Sequence, residues 1–266
     1  MGRKIRRVIF IIALAVLIGA LGYIGYTYLG YRKDAKVYEA AAGEFVKPNG
    51  SYVPVKASSG NVSDVIKETV ENTEEETALP IEVDFDALKE INPDVIGWIY
   101  CPDTVINYPV LKTTDNDTYL HHNYKNEYTA SGSIFVECAN RDDFADLNTI
   151  IYGHHMKDGS MFASLSKWTK QEYYDEHPVM YLFTPEQNYI VELFSAYATA
   201  AGSDSYYAIQ TPCKEMDDYL ERVSEKSMFE CDVELPGDEK YIMLSTCAYM
   251  FENARSVLHG KLVPIE

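Results

Sequence analysis

The sequence predicts a mainly β chain with helical insertions: one closed or nearly closed eight-stranded β domain behind an N-terminal transmembrane helix. Three observations predict it. A charge-free apolar run of 21 residues occupies positions 8–28. Short runs dense in Tyr, Val and Ile, separated by turn residues, fill the chain after position 81. Between them, 160–168 and 214–229 carry helical rather than alternating apolar spacing.

The apolar run spans about 32 Å as a helix, close to the thickness of a bilayer's hydrocarbon core. Arg3, Lys4, Arg6 and Arg7 precede it and predict a cytoplasmic N-terminus, and the tyrosines at 23, 26, 28 and 31 suit an interfacial belt. A cleaved signal peptide is the competing reading, but its apolar part would be about 7–15 residues and end in small residues, where this run ends in Tyr. An uncleaved single-pass anchor with an extracytoplasmic body is expected. Residues 1–33 hold six basic side chains and no acidic one, so the rest of the chain keeps 17 basic against 41 acidic groups. Such a body excludes a general nucleic-acid binder, since phosphate contacts need clustered Lys and Arg.

Residues 34–80 read as an acidic spacer. A short helix is expected around 34–42. A stretch with scattered Pro, Gly and Ser follows, then a run over 64–76 with six acids and one lysine. Its expected role is reach from the membrane. The catalytic domain is placed at 81–266. It opens on a short helix at 84–91, capped by Asp84, with Phe85, Leu88 and Ile91 on one face and Asn92-Pro93 as its stop. Strands are expected at 95–100, 105–111, 132–137, 149–152, 179–184, 188–198, 240–247 and 255–264. Ser160 is placed to cap the helix at 160–168. In 214–229 the apolar positions are Met216, Tyr219, Leu220, Val223 and Met228.

Five cysteines (Cys101, Cys138, Cys213, Cys231 and Cys247) are an odd number for an exported domain and include no C-x-x-C. Most suit small buried apolar positions, and a Cys213–Cys231 bridge is one option. Cys247 differs, because it ends the apolar strand 240–247 and the chain returns from Arg255. If those runs pair as a hairpin, Cys247 and Arg255 lie near each other, and a permanent cation there favours thiolate and can bind an oxyanion. A buried structural cysteine and a surface ion pair are the bland alternatives. The second cluster is Tyr152-Gly153-His154-His155 at the end of a buried-type strand. A histidine there can serve a cysteine as acid and base, and adjacent residues point to opposite sides, so one of the two faces a given site. Metal binding is the weaker option, since there is no H-E-x-x-H and neither His pair has i, i+4 spacing.

Leu244-Ser245-Thr246-Cys247 resembles the T-L-x-T-C motif of sortases, the membrane-anchored cysteine transpeptidases of Gram-positive bacteria, with Met243 in place of the first Thr. Tyr152-Gly153-His154-His155 resembles their histidine segment, and Arg255 falls where they keep an essential arginine. Asn107-Tyr-Pro-Val110, Asp115-Asn-Asp-Thr-Tyr-Leu120, Gly132-Ser-Ile-Phe135 and the insertion at 214–229 resemble class B in particular. The resemblance covers about 81–266 and implies a sortase-type closed eight-stranded barrel. It implies a thioester on Cys247, acid–base work by His154 with His155 as the second choice, and substrate and oxyanion binding by Arg255. Ser245, Thr246, Asn116 and Leu120 fall at groove positions. The implied substrates are exported proteins with a C-terminal N-P-x-T-N/G-like motif. The implied acceptor is an amine of a peptidoglycan precursor (lipid II) or a pilin lysine. No metal or cofactor is implied. Rival readings are a non-catalytic wall-binding or scaffold protein on a stalk, and another exported Cys/His hydrolase. Papain-like chains run Cys before His, however, and Cys247 lacks the flanking Gly and Arg of L,D-transpeptidases.

Overall fold

The computed structural model describes residues 2–50, 52, 54–57, 62–65, 79–211, 214–247 and 253–265, apart from the side chains of Lys4 and Cys247. Cys213 and residues 66–76 of the acidic run lie outside the described residues. Helix α1, Arg3–Phe45, continues without a break through the apolar run and beyond it. No proline interrupts it, and it stops where Val46 turns extended, at φ −119°. The helix is long and apolar enough to cross a membrane. The short helix expected at 34–42 is therefore the last stretch of α1.

Strand β1 (Val46–Pro48) pairs antiparallel with β2 (Ile81–Val83), and Asn49 Nδ2 donates to Leu79 O at 2.8 Å. The segment between them thus leaves and returns at one ribbon. Its described turn at residues 62–65 is docked as well: Ser63 donates to Glu192 Oε1, and the second oxygen of that buried carboxylate meets Lys261 Nζ at 2.9 Å. Tyr38, Ala41 and Phe45 of α1 are buried against the domain.

Eight strands close the barrel: β3 (Val95–Tyr100), β4 (Asn107–Leu111), β5 (Ile134–Val136), β6 (Asn148–Tyr152), β7 (Val179–Phe183), β8 (Asn188–Ala200), β9 (Tyr241–Cys247) and β10 (Ala254–Ile265). Around the barrel they run β10-β8-β7-β3-β4-β5-β6-β9, which closes the expected sheet and leaves it no free edge. Pairing is antiparallel except for β4 with β5 and β6 with β9. Trp98, Ile151, Tyr181, Leu244 and Leu258 lie in the main core. Met243, Tyr219, Leu220 and Val257 join a second cluster on the outer face. Met243, the departure from the family motif, is simply buried packing there.

Helix α2, Phe85–Ile91, has its expected cap, with Ala87 N bonded to Asp84 Oδ1 at 3.0 Å. The helix expected at 160–168 is instead a 3-10 helix, Phe162–Thr169. Asp158 Oδ1 binds Ser160 N and Oγ, and Met161 has φ +56°, so no α-turn can start at Ser160. A further helix follows at once: α3, Gln171–Glu176. Helix α4, Lys214–Glu225, is shorter than expected. Met228 N leaves to bond Ala196 O, and the Met228 side chain is exposed, whereas Phe229 stacks on Tyr174 at 4.1 Å. The Cys231 thiol is free and donates to Phe194 O, so the optional Cys213–Cys231 bridge is not formed.

Candidate active site

Two strand pairings bring the candidate chemistry to one end of the barrel. The β6–β9 pair is parallel, with Tyr152 beside Ser245, and Gly153 N donates to Ser245 O at 3.1 Å. The chain after β6 therefore leaves at the level where β9 reaches Cys247. The β9–β10 pair is antiparallel, and Arg255 is the register partner of Cys247. The backbone positions of His154, Cys247 and Arg255 thus sit on three adjacent strand ends. The Cys247 side chain is outside the described residues.

Gly153 lets the histidine segment leave β6 closely packed. A Cβ there would lie 2.4 Å from Ile134 Cδ1 and 2.7 Å from the Phe162 ring. His154 is half-buried, and its Nε2 lies 2.8 Å from Leu120 O. A carbonyl only accepts, so Nε2 carries the proton and donates it. His155 forms an isolated bridge with Met161, so the two neighbouring histidines take different surroundings.

A polar wall continues from this end. Glu137 Oε1 accepts from Asn116 Nδ2 at 2.7 Å and from the Cys138 thiol at 3.2 Å, and Oε2 accepts from the Tyr152 hydroxyl at 2.9 Å. Burial pushes the Glu137 carboxyl up, but the bonds from Asn116, Tyr152, Cys138 and Ala139 N outweigh it and hold it below the usual range. Burial and the Glu137 charge together raise the Tyr152 phenol well above its ordinary value, so it stays a donor. The Tyr152 ring stacks on Tyr206 (centroids 6.4 Å apart), and the Tyr206 hydroxyl lies 2.6 Å from Ser245 Oγ. Asn116, Tyr152, Tyr206 and Ser245 are thereby tied into one surface.

The curated relatives decide what this arrangement belongs to. The chain is 45% identical over 181 residues to sortase B of Listeria monocytogenes, a match covering 66% of this chain and 72% of that protein. The chain belongs to the sortase B family. As a sortase, it is a cysteine transpeptidase. Among solved structures, a Staphylococcus aureus sortase B–substrate complex superposes with a TM-score of 0.65 at 28% identity, covering 77% of this chain and 92% of that one. A sortase B complexed with triglycine gives 0.65 at 32% identity, covering 68% and 86%. No family model matches the chain.

Leu120 and His154 are joined to each other by the Nε2–O bond, and of the other expected groove residues Asn116 and Ser245 belong to the network just described. Thr246 does not. Ser245 and Thr246 are both buried, but Thr246 alternates to the barrel-core side with Leu244, away from the Ser245 face. Arg255 is half-buried at the start of β10, with Nη1 bonded to Ala254 O at 3.0 Å. Sequence reasoning missed Glu137, Tyr152 and Tyr206. Tyr152 had a signal, since it ends the strand that leads into His154. Glu137 and Tyr206 had none, because their roles depend on which strands become neighbours.

Proposed function

We propose that this sortase cleaves a C-terminal sorting motif of the N-P-x-T-N/G type after its Thr. It then transfers the exported protein to an amine of a peptidoglycan precursor. One observation carries the reading: the parallel β6–β9 and antiparallel β9–β10 pairings set the chain positions of His154, Cys247 and Arg255 side by side. The Cys247 thiolate attacks the Thr carbonyl carbon, and Arg255 stabilises the oxyanion. The C–N bond breaks as His154 protonates the departing amine, leaving a thioester. His154 then takes a proton from the incoming amine, which attacks the thioester and releases the thiolate. Because Nε2–H is committed to Leu120 O, the exchanging atom is Nδ1. The groove is formed by Asn116, Leu120, Tyr152, Tyr206 and Ser245. A short glycine amine as acceptor is supported by the triglycine complex of the related sortase B, and a pilin lysine is the other acceptor to test.

Residues 8–28 anchor the chain, with the N-terminus cytoplasmic and the catalytic domain, 81–266, outside the membrane. The basic flank of Arg3 to Arg7 supports that orientation. The test uses the full chain in detergent micelles against a panel of quenched sorting peptides, with hydroxylamine to trap the thioester and triglycine as acceptor. Cys247→Ala and His154→Ala each abolish cleavage. Full activity in either variant would sink the assignment, and no cleavage by the wild type would leave the scaffold reading standing.

A further inference from the structure

The last turns of α1 reach the histidine segment by two routes that start at one side chain. Tyr38 is buried, and its hydroxyl donates to Gly132 O at 2.5 Å and lies 3.1 Å from Ser133 Oγ. Gly132 has φ +53° and presses on the 3-10 turn Thr118–Leu120. A Cβ on it would lie 2.5 Å from Tyr119 O and 2.6 Å from Leu120 O. Ser133 N bonds Tyr119 O at 2.9 Å. Leu120 O is the carbonyl that accepts from His154 Nε2. Along this route the Tyr38 hydroxyl secures the backbone against which the His154 acceptor rests.

The second route runs through the ring. Tyr38 packs edge-on against Tyr108 of β4, with centroids 5.4 Å apart at 82°. The Tyr108 hydroxyl accepts from Met161 N at 2.9 Å. Met161 holds a positive φ, bridges His155, and is followed by Phe162, whose N donates to His154 O at 3.0 Å. The loop 154–161 is thus closed at its far end by a tyrosine that Tyr38 braces. Phe45 and Tyr124 extend the same aromatic contact, with Phe45–Tyr124 at 6.4 Å and Tyr38–Tyr124 at 6.0 Å.

We propose that Tyr38, on the helix that carries the apolar anchor, is a positioning residue for His154. The anchor helix then completes the active site instead of merely tethering it. The kinetic part of this rests on the reaction proposed above. Misplacing an acid–base group by a fraction of an ångström slows chemistry more than binding. The two routes meet the peptide groove only at the Leu120 backbone, whose carbonyl holds His154, so the effect falls mainly on kcat.

The experiment compares Tyr38→Phe, Tyr38→Ala and Tyr52→Phe with the full-length chain in detergent micelles. Tyr52→Phe is the control, because it removes another hydroxyl contact, to Tyr181 at 3.0 Å, that is not part of the two routes. In Tyr38→Phe, kcat falls about tenfold with KM for the peptide within about twofold, and Tyr38→Ala falls further. Tyr52→Phe keeps both constants. Wild-type kcat in Tyr38→Phe overturns the proposal whether or not Tyr38→Ala folds, and so does an equal fall in Tyr52→Phe. A second readout is independent of the reaction: amide exchange over residues 153–162 quickens in Tyr38→Phe, and unchanged exchange overturns the proposal. Failure of the proposed reaction would show separately, as no peptide cleavage by the wild type.

Discussion

Arg255 stands directly opposite Cys247 across the β9–β10 pair. Directly opposed positions of an antiparallel pair lie on the same face of the sheet, so the hairpin itself sets Arg255 beside chain position 247. Arg255 sits at the start of β10, where its removal opens no core cavity. Arg255→Ala is expected to lower kcat by about 10²–10³. Arg255→Lys keeps the charge but loses the planar fork, so it recovers little of that loss. Initial rates on the sorting peptide check both, with thermal midpoints close to wild type.

Glu137 is the shared acceptor for Asn116 and Tyr152. Glu137→Gln replaces a charged acceptor by a weaker one and adds a donor that faces other donors. KM is expected to rise roughly tenfold with a smaller change in kcat. The wild-type carboxyl lies below its ordinary range. It therefore stays ionised as pH falls, and its contribution, full above the unfolded value, is lost only as pH drops through the lowered one. KM measured from pH 8 to pH 5 should show no titration from this group. A KM step inside that window would contradict the assignment.

Gly153→Ala puts a methyl where Ile134 and Phe162 already touch. Overpacking of this kind costs about 1–3 kcal/mol, and the segment forced to move carries His154. A lower thermal midpoint together with a lower kcat is expected. A fall in stability with unchanged kcat would show that the strain relaxes on the Ile134 side, away from the bond between Phe162 N and His154 O.

His259 is fully buried against Phe194, Tyr197 and Tyr219, and burial, aided by Lys226, pulls it down to about 3. It stays neutral while the unfolded chain takes a proton below about 6.5. The unfolded state then binds more protons, so stability is present above about pH 6.5 and declines as pH falls toward 3. The slope is at most about 1.4 kcal/mol per pH unit from this one group. Thermal unfolding at pH 7 and pH 5 checks the sign. His259→Gln should lessen the difference between the two midpoints.

The barrel is readable because each strand carries its own alternation or apolar run, and β9 shows it well: Ile242 and Leu244 face one core, Tyr241 and Met243 the other. Helix 160–168 misleads because its periodicity is real while its start is decided by Asp158 and the backbone of Met161. The docking of α1 has a signal that charge and composition hide: Tyr38, Ala41 and Phe45 lie at i, i+3 and i+7, an apolar stripe inside a polar stretch. His154, Cys247 and Arg255 stand out through motif order. Glu137 and Tyr206 do not, since a carboxylate after β5 becomes a hub only once β6 lies beside β5 and Asn116 folds over it.

An unbroken helix is a screw as well as a strut. Tyr28, at the end of the apolar run, and Tyr38, at the barrel, are ten residues apart on α1. Each residue added between them would lift the barrel about 1.5 Å and swing it about 100° around the helix axis. The compass bearing of the groove relative to the apolar segment is therefore written in a residue count. A single insertion there would turn the groove toward a different quarter while leaving every atom of the barrel in place.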